Sequence, residues 1–133
     1  MTESIDWEQL QRLAREALPR AYAPYSEFRV AAALLAEDGR IFTGVNVENA
    51  SYGLTVCAER NAVAAAVLAG ARRFRAIVVT CSGPKPPTPC GACRQVLAEF
   101  PPAFTVRSIG ADGATLDFAT TDLLPAPFGP ADL

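Results

Sequence analysis

Two short stretches carry three cysteines, and neither stretch makes a three-thiol site without the other. One is Cys57-Ala58-Glu59-Arg60 and the other is Pro89-Cys90-Gly91-Ala92-Cys93-Arg94-Gln95. Each stands where a helix begins. A helix N-terminus favours thiolate over thiol, so three sulfurs brought there can hold one metal ion between them. Three thiolates with a carboxyl alongside suit a catalytic zinc: the metal keeps one position open for water, and the carboxylate moves protons. Arg60 lies one turn after Cys57 on the same helix face. It is placed to hydrogen-bond a coordinating sulfur and temper the charge that three thiolates would put on a divalent ion.

The rest of the composition narrows the chemistry. The 133 residues contain no histidine, so Ser-His and Cys-His nucleophile pairs are excluded and the proton shuttle must be a carboxyl, Lys, Tyr or Cys. Lys+Arg 12 against Asp+Glu 14 leaves a net charge of −2, which offers no general pull toward nucleic acid or an anionic membrane. The longest apolar run, around residues 62–69, is too short to span a bilayer. The acidic and polar start does not resemble a signal peptide. These features lead us to expect a cytoplasmic protein, whose four cysteines bind metal or stay free rather than form disulfides. Residues 1–133 read as a single domain.

Periodicity supplies the elements. Asp6 and Gln9 form a capping box, and Trp7, Leu10, Leu13, Ala14, Ala17 and Leu18 follow on one helical face. Residues 28–36 and 41–47 read as strands around the Asp38-Gly39 turn. Residues 57–70 form an Ala-rich helix expected to be largely buried. Strand 76–81 leads into a stiff loop with four prolines, then into a helix over 91–100. Strands 104–109 and 115–119 follow, with one more helical turn near 121–124. Arg72, Arg73 and Arg75 read as a solvated link between helix and strand. The order implies an α/β fold, one mixed sheet of five strands with helices on its faces.

Taken alone, the C-x-x-C of Cys90 and Cys93 also suits a structural zinc or a redox pair. Cys81 is an available fourth thiol for a structural site, although its apolar strand pattern makes it a small core residue. Asn46 and Glu48 alone read as turn-forming polar residues, and Phe28 and Phe128 as core aromatics. Tyr52 alone is uninformative.

The joint pattern of C-x-E followed by P-C-x-x-C resembles the zinc deaminase signature. More specifically, the chain resembles the small homotetrameric cytidine deaminases. The resemblance runs over nearly its whole length: Ala23-Pro24-Tyr25-Ser26 with Phe28, Asn46 to Tyr52, Cys57 to Arg60, Pro89 to Gln95, and Leu123-Leu124-Pro125 with Phe128-Gly129-Pro130. It implies a three-layer α-β-α sandwich around a five-stranded mixed sheet, one Zn2+ per chain on Cys57, Cys90 and Cys93, and deamination of free cytidine and 2′-deoxycytidine in pyrimidine salvage. Glu59 is the implied catalytic residue, moving a proton from water to N3 of the pyrimidine and helping ammonia leave. Asn46 and Glu48 are implied to hold the ribose hydroxyls, the Ala58 backbone N–H to contact the base, Phe28 to pack against the base, and Phe128 to close the pocket. Tyr52 is implied to lie near an interface of a homotetramer whose subunits share their sites.

Three departures bear on substrate range. Ala31 stands where many relatives carry glycine, Arg29 where some carry proline, and Pro127 directly precedes Phe128. A blasticidin-S type deaminase shares the zinc and Glu59 chemistry, but the Asn46 and Glu48 pair favours a nucleoside. A polynucleotide-editing enzyme calls for a basic stripe with stacking aromatics, and the net charge opposes it. A non-catalytic zinc module gives no reason for Glu59.

Overall fold

The computed structural model describes residues 4–133. The elements are α1 (Trp7–Ala17), β1 (Val30–Ala36), β2 (Ile41–Val45), α2 (Ala58–Leu68), β3 (Phe74–Cys81), α3 (Gly91–Ala98), β4 (Thr105–Ile109), β5 (Thr115–Ala119) and α4 (Thr120–Leu123). Asp6 caps α1 by accepting from the Gln9 N–H at 3.0 Å. Gly39 takes a left-handed φ of 93° in the β1–β2 turn, which a glycine adopts without steric cost.

The five strands form one sheet in the order β2-β1-β3-β4-β5. The β3–β4 pair is parallel and the other three pairs are antiparallel. Two successive antiparallel pairings make β2 and β3 run the same way. The chain therefore leaves β2 toward α2, and β3 toward α3, at the same end of the sheet. This topology brings the starts of both helices together although Cys57 and Cys90 are far apart in sequence.

Alternation along β1 and β3 sorts side chains between two cores. Ala33, Leu35, Ala76, Val78 and Ile109 meet Leu10 and Ala14 of α1. Ala32, Leu34, Ile77, Val79 and Val106 meet Ala58, Ala62, Val63 and Ala66 of α2 and Leu97 of α3. The result is the expected three-layer α-β-α arrangement. It also explains why residues 30–36 are apolar in both phases: each face of β1 has its own helix layer.

Several boundaries differ from the sequence reading. Strand β1 begins at Val30 rather than at Phe28, because the Asn46 side chain takes the place of a strand neighbour. Its Oδ1 accepts from the Val30 N–H and its Nδ2 donates to the Phe28 carbonyl, both at 2.9 Å. Strand β2 correspondingly ends at Val45. Helix α2 is largely buried as expected, and what exposure it has falls at Ala64, which is exposed, and at its last residue, Leu68, which is 90% exposed. Arg72 is more than a solvated linker residue, since its guanidinium donates to the Val67 carbonyl in the last turn of α2 and to the carbonyl of its own neighbour Ala71.

Candidate metal centre and active site

Gly44 sets how closely α2 approaches the sheet. A Cβ there would stand 2.4 Å from the Ala62 nitrogen and 2.5 Å from the Ala58 carbonyl oxygen. Only a residue without a side chain lets the first turn of α2 lie on β2. The Asn61 amide then pins that turn by donating to the Val45 carbonyl at 2.8 Å. These contacts place Cys57, the residue capping α2, and Glu59, in its first turn.

The three thiols converge. Cys57 and Cys90 Sγ are 3.7 Å apart, Cys90 and Cys93 Sγ 3.4 Å, and all three sulfurs lie within 4.8 Å of one another. Tetrahedral zinc with thiolates at ~2.3 Å spaces its sulfurs by about 3.8 Å, so the donor set fits the ion with small adjustments. Cys81 is not part of the cluster. It is buried in β3, and its thiol donates to the Gly83 and Lys85 carbonyls at 3.3 and 3.4 Å. This agrees with its reading as a core residue.

The surrounding charges also fit a cation. The Cys93 thiol hydrogen-bonds to Cys57 and, with Arg60 assisting, brings the Cys57 thiol down to about 5. The same hydrogen bond pushes Cys93 upward. The Cys57 sulfur is thus biased toward the anion, and a metal would displace the remaining thiol protons. Arg60 Nη2 lies 3.8 Å from Cys57 Sγ and donates to the Thr55 carbonyl at 3.2 Å. Its Nε is buried without a partner, an arrangement that concentrated negative charge nearby would offset.

Glu59 is 5% exposed beside this cluster. Burial, reinforced by the Cys57 thiolate, pushes its carboxyl up to about 6. A group balanced that close to neutrality can both take and return a proton.

The remaining predicted residues form a second, linked group. Glu48 Oε1 accepts from the Tyr25 and Ser26 N–H groups at 3.0 and 3.1 Å, and Oε2 accepts from the Ser26 hydroxyl. Ser26 Oγ in turn accepts from the Phe28 N–H at 3.0 Å. The Ser26 hydroxyl chiefly, then the two N–H groups, hold the Glu48 carboxyl below the usual range. Asn46 and Glu48 thus fix the backbone on either side of Phe28, whose ring lies against Gly83 in the loop leading to Cys90. Tyr52 is 77% exposed and meets Tyr25 edge-on, ring centroids 6.3 Å apart. Both rings line a cavity of about 350 Å3 with Ser26, Glu48, Asn49 and Thr55. Thr55 lines this cavity, and its carbonyl accepts from the same Arg60 nitrogen that lies 3.8 Å from Cys57 Sγ. Ala58, the first residue of α2, presents its N–H where a helix leaves donors free. Phe128 is 61% exposed, and its carbonyl accepts from Gln95 Nε2 at 2.7 Å.

The sequence reading missed Gly44, Asn61, Ser26 and Thr55 as parts of the site. Gly44 did leave a signal, since glycine inside a strand marks a close approach of backbone. Asn61 and Thr55 left none, because their partners are carbonyls set by tertiary packing.

Three convergent thiols beside a buried carboxyl, set at the C-terminal ends of parallel-running strands, form a group that could hold a metal ion, the arrangement of a zinc-dependent hydrolytic class. Residues 5–107 match the model of the cytidine and deoxycytidylate deaminase zinc-binding region. The chain is 45% identical over 130 residues to a cytidine deaminase of Halalkalibacterium halodurans, covering 97% of this chain and 98% of that one. It is 43% identical over 134 residues to a cytidine deaminase of Mycobacterium tuberculosis, covering 97% and 94%. A crystal structure of cytidine deaminase from Burkholderia pseudomallei superposes with a TM-score of 0.89 at 46% identity, covering 93% of this chain and all of that one. The chain belongs to the cytidine and deoxycytidylate deaminase family, and its cofactor is zinc.

Removing the Arg60 guanidinium should lower zinc affinity or turnover by about 10- to 100-fold. Chelator competition and kcat measured on Arg60→Ala decide this, and values equal to those of the parent protein would remove Arg60 from the site.

Proposed function

We propose that residues 1–133 form one deaminase domain that hydrolyses free cytidine and 2′-deoxycytidine to uridine and 2′-deoxyuridine with release of ammonia. One observation carries the reading: a carboxyl at 5% exposure, raised to about 6, stands beside three convergent thiols in a chain without histidine. Family membership supplies the substrate class.

Cys57, Cys90 and Cys93 are the proposed zinc ligands. Zinc, when bound, supplies the Lewis acidity that makes a water nucleophilic near neutral pH. Glu59 would take one proton from the attacking water and deliver it to N3 of the pyrimidine as the water oxygen bonds to C4. It would then carry the second proton of that oxygen to the amine, so that the C4 carbonyl forms, the C4–N bond breaks and ammonia leaves. The Ala58 N–H contacts the base, Phe28 packs against it, and Phe128 closes over the pocket. Asn46 and Glu48 hold the ribose hydroxyls with the hydrogen-bonding capacity left after their backbone contacts. The exposure of Tyr22, Tyr25, Val47, Tyr52 and Leu54 supports a homotetramer in which a neighbouring subunit covers this apolar surface and completes each site. The described residues include no helix long and apolar enough to cross a membrane. Free thiols at all four cysteines suit a reducing compartment, so we place the enzyme in the cytoplasm, in pyrimidine salvage.

The test is ammonia release from cytidine, 2′-deoxycytidine, cytosine and blasticidin S in parallel. Turnover of the two nucleosides well above the other two is expected. Preference for blasticidin S would transfer the reading to that enzyme type, and preference for cytosine would remove the ribose contacts. Glu48→Gln loses the acceptor for the Ser26 hydroxyl and the charge facing the sugar. A KM for cytidine raised about tenfold or more is expected, as for loss of a charged hydrogen bond, with zinc content unchanged. An unaltered KM would exclude Glu48 from ribose binding.

A further inference from the structure

The C-terminal segment is fastened to the helix that carries Cys93. Arg94 donates to the Leu123 carbonyl at 3.2 Å, and Leu123 is 8% exposed. Gln95 donates to the Phe128 carbonyl at 2.7 Å. Between these anchors the chain has no regular structure, and Pro125 and Pro127 offer no N–H to pair. Among the described residues, the other hydrogen bonds of 125–133 stay within the segment: the Gly129 N–H to Asp132 at 2.8 Å, the Asp132 N–H to Gly129 at 2.9 Å, and the Leu133 N–H to Pro130 at 3.2 Å. The segment is therefore a proline-stiffened strap, fixed at Leu123 and latched by one side chain two residues past a proposed zinc ligand.

We infer that Gln95 is a positioning residue: its amide latches the strap so that Phe128 stands at the mouth of the site, and releasing the latch weakens nucleoside binding without altering proton transfer. This rests on the proposed function, in which Phe128 closes over the substrate. The sequence agrees. Glutamine supplies an uncharged donor for one carbonyl, and its exposed setting lets the bond break and re-form as substrate enters and product leaves. A latch buried among apolar side chains would stay shut.

The strap can be read independently of turnover. Chymotrypsin cuts after phenylalanine by attacking its carbonyl, and the Phe128 carbonyl is the group that Gln95 holds. In the zinc-loaded enzyme, Gln95→Ala should speed nicking at Phe128–Gly129 severalfold, followed as loss of residues 129–133 by intact mass. It should raise the KM for cytidine about three- to tenfold, as expected for one hydrogen bond, with kcat within about twofold and zinc content unchanged. Gln95→Lys, which keeps a donor, should restore slow nicking and most of the KM. In a chain ending at Pro127, Gln95→Ala should have no additional effect. Unchanged nicking and KM in Gln95→Ala would overturn the inference, as would a fall in kcat and zinc content at constant KM, since Gln95 would then act through the metal helix. Absence of cytidine turnover in the unmodified chain would overturn the proposed function instead, and the nicking rates would still decide whether Gln95 is the latch.

Discussion

Replacing Glu59 by glutamine should reduce cytidine turnover by about four orders of magnitude or more while leaving zinc in place. General acid–base transfer by one group is worth about 10²- to 10⁴-fold, and here one carboxyl is asked to serve several proton transfers in succession. Glutamine keeps the volume and can hydrogen-bond in the same space, but it cannot accept and return a proton. The metal should stay, because the thiols of Cys57, Cys90 and Cys93 supply the donor cluster without Glu59. Stability should not fall. The carboxyl is 5% exposed and its burial pushes it up to about 6, so the native fold holds a charged carboxylate at a cost that a neutral amide lessens. The combination is specific: zinc by mass spectrometry near one per chain, an undiminished melting temperature, and almost no ammonia released. Near-normal turnover would end the assignment of Glu59. Loss of zinc with turnover would make it a structural or ligating residue.

The second large effect is expected from the smallest change. Gly44→Ala adds one methyl group where the nearest atoms are backbone, the Ala62 nitrogen at 2.4 Å and the Ala58 carbonyl oxygen at 2.5 Å. No rotamer change relieves such contacts, so either α2 lifts from β2 or the strand bends. Overpacking of this kind costs about 3 kcal/mol, which lowers the melting temperature of a domain this size by roughly 10 °C. The first turn of α2 carries Glu59 and begins at Cys57, so a displacement of about 1 Å there should cost about 100-fold in kcat. Circular dichroism melts and kcat on the zinc-loaded variant test both halves. A variant with parental stability and activity would mean that α2 does not rest on Gly44 as described.

These two substitutions mark where sequence and structure each had the decisive information. Glu59 was legible because its meaning lies in local spacing: two residues after a cysteine, at a helix start, in a chain without histidine. The C-x-x-C was legible for the same reason, and so were the five strands, whose apolar phases follow from burial on one or both faces. Asn46 and Glu48 were only half legible. Their residue types suit a sugar, yet the structure first uses Asn46 to bracket Phe28 and Val30, and Glu48 to hold Tyr25 and Ser26. Side chains that bind backbone across a sheet edge leave no periodic trace. Which positions of the largely buried α2 stay exposed was not legible, because an alanine-rich helix looks equally apolar on every side. Only the position of the sheet decides that Ala62 and Ala66 are covered and Leu68 is not.

By itself the sequence determined the chemistry available here: three thiols, one carboxyl and one guanidinium at two helix starts, and no imidazole. It also determined the order of strands and helices, because local periodicity is set by what each short stretch must bury. The tertiary structure alone decided that the two starts coincide. Strands β2 and β3 run the same way, so α2 and α3 begin at the same end of the sheet, and Gly44 lets α2 come close enough for Cys57 to reach within 3.7 Å of Cys90. Strand direction and helix-to-sheet distance arise from pairing and packing between segments remote in sequence, and no local pattern encodes them.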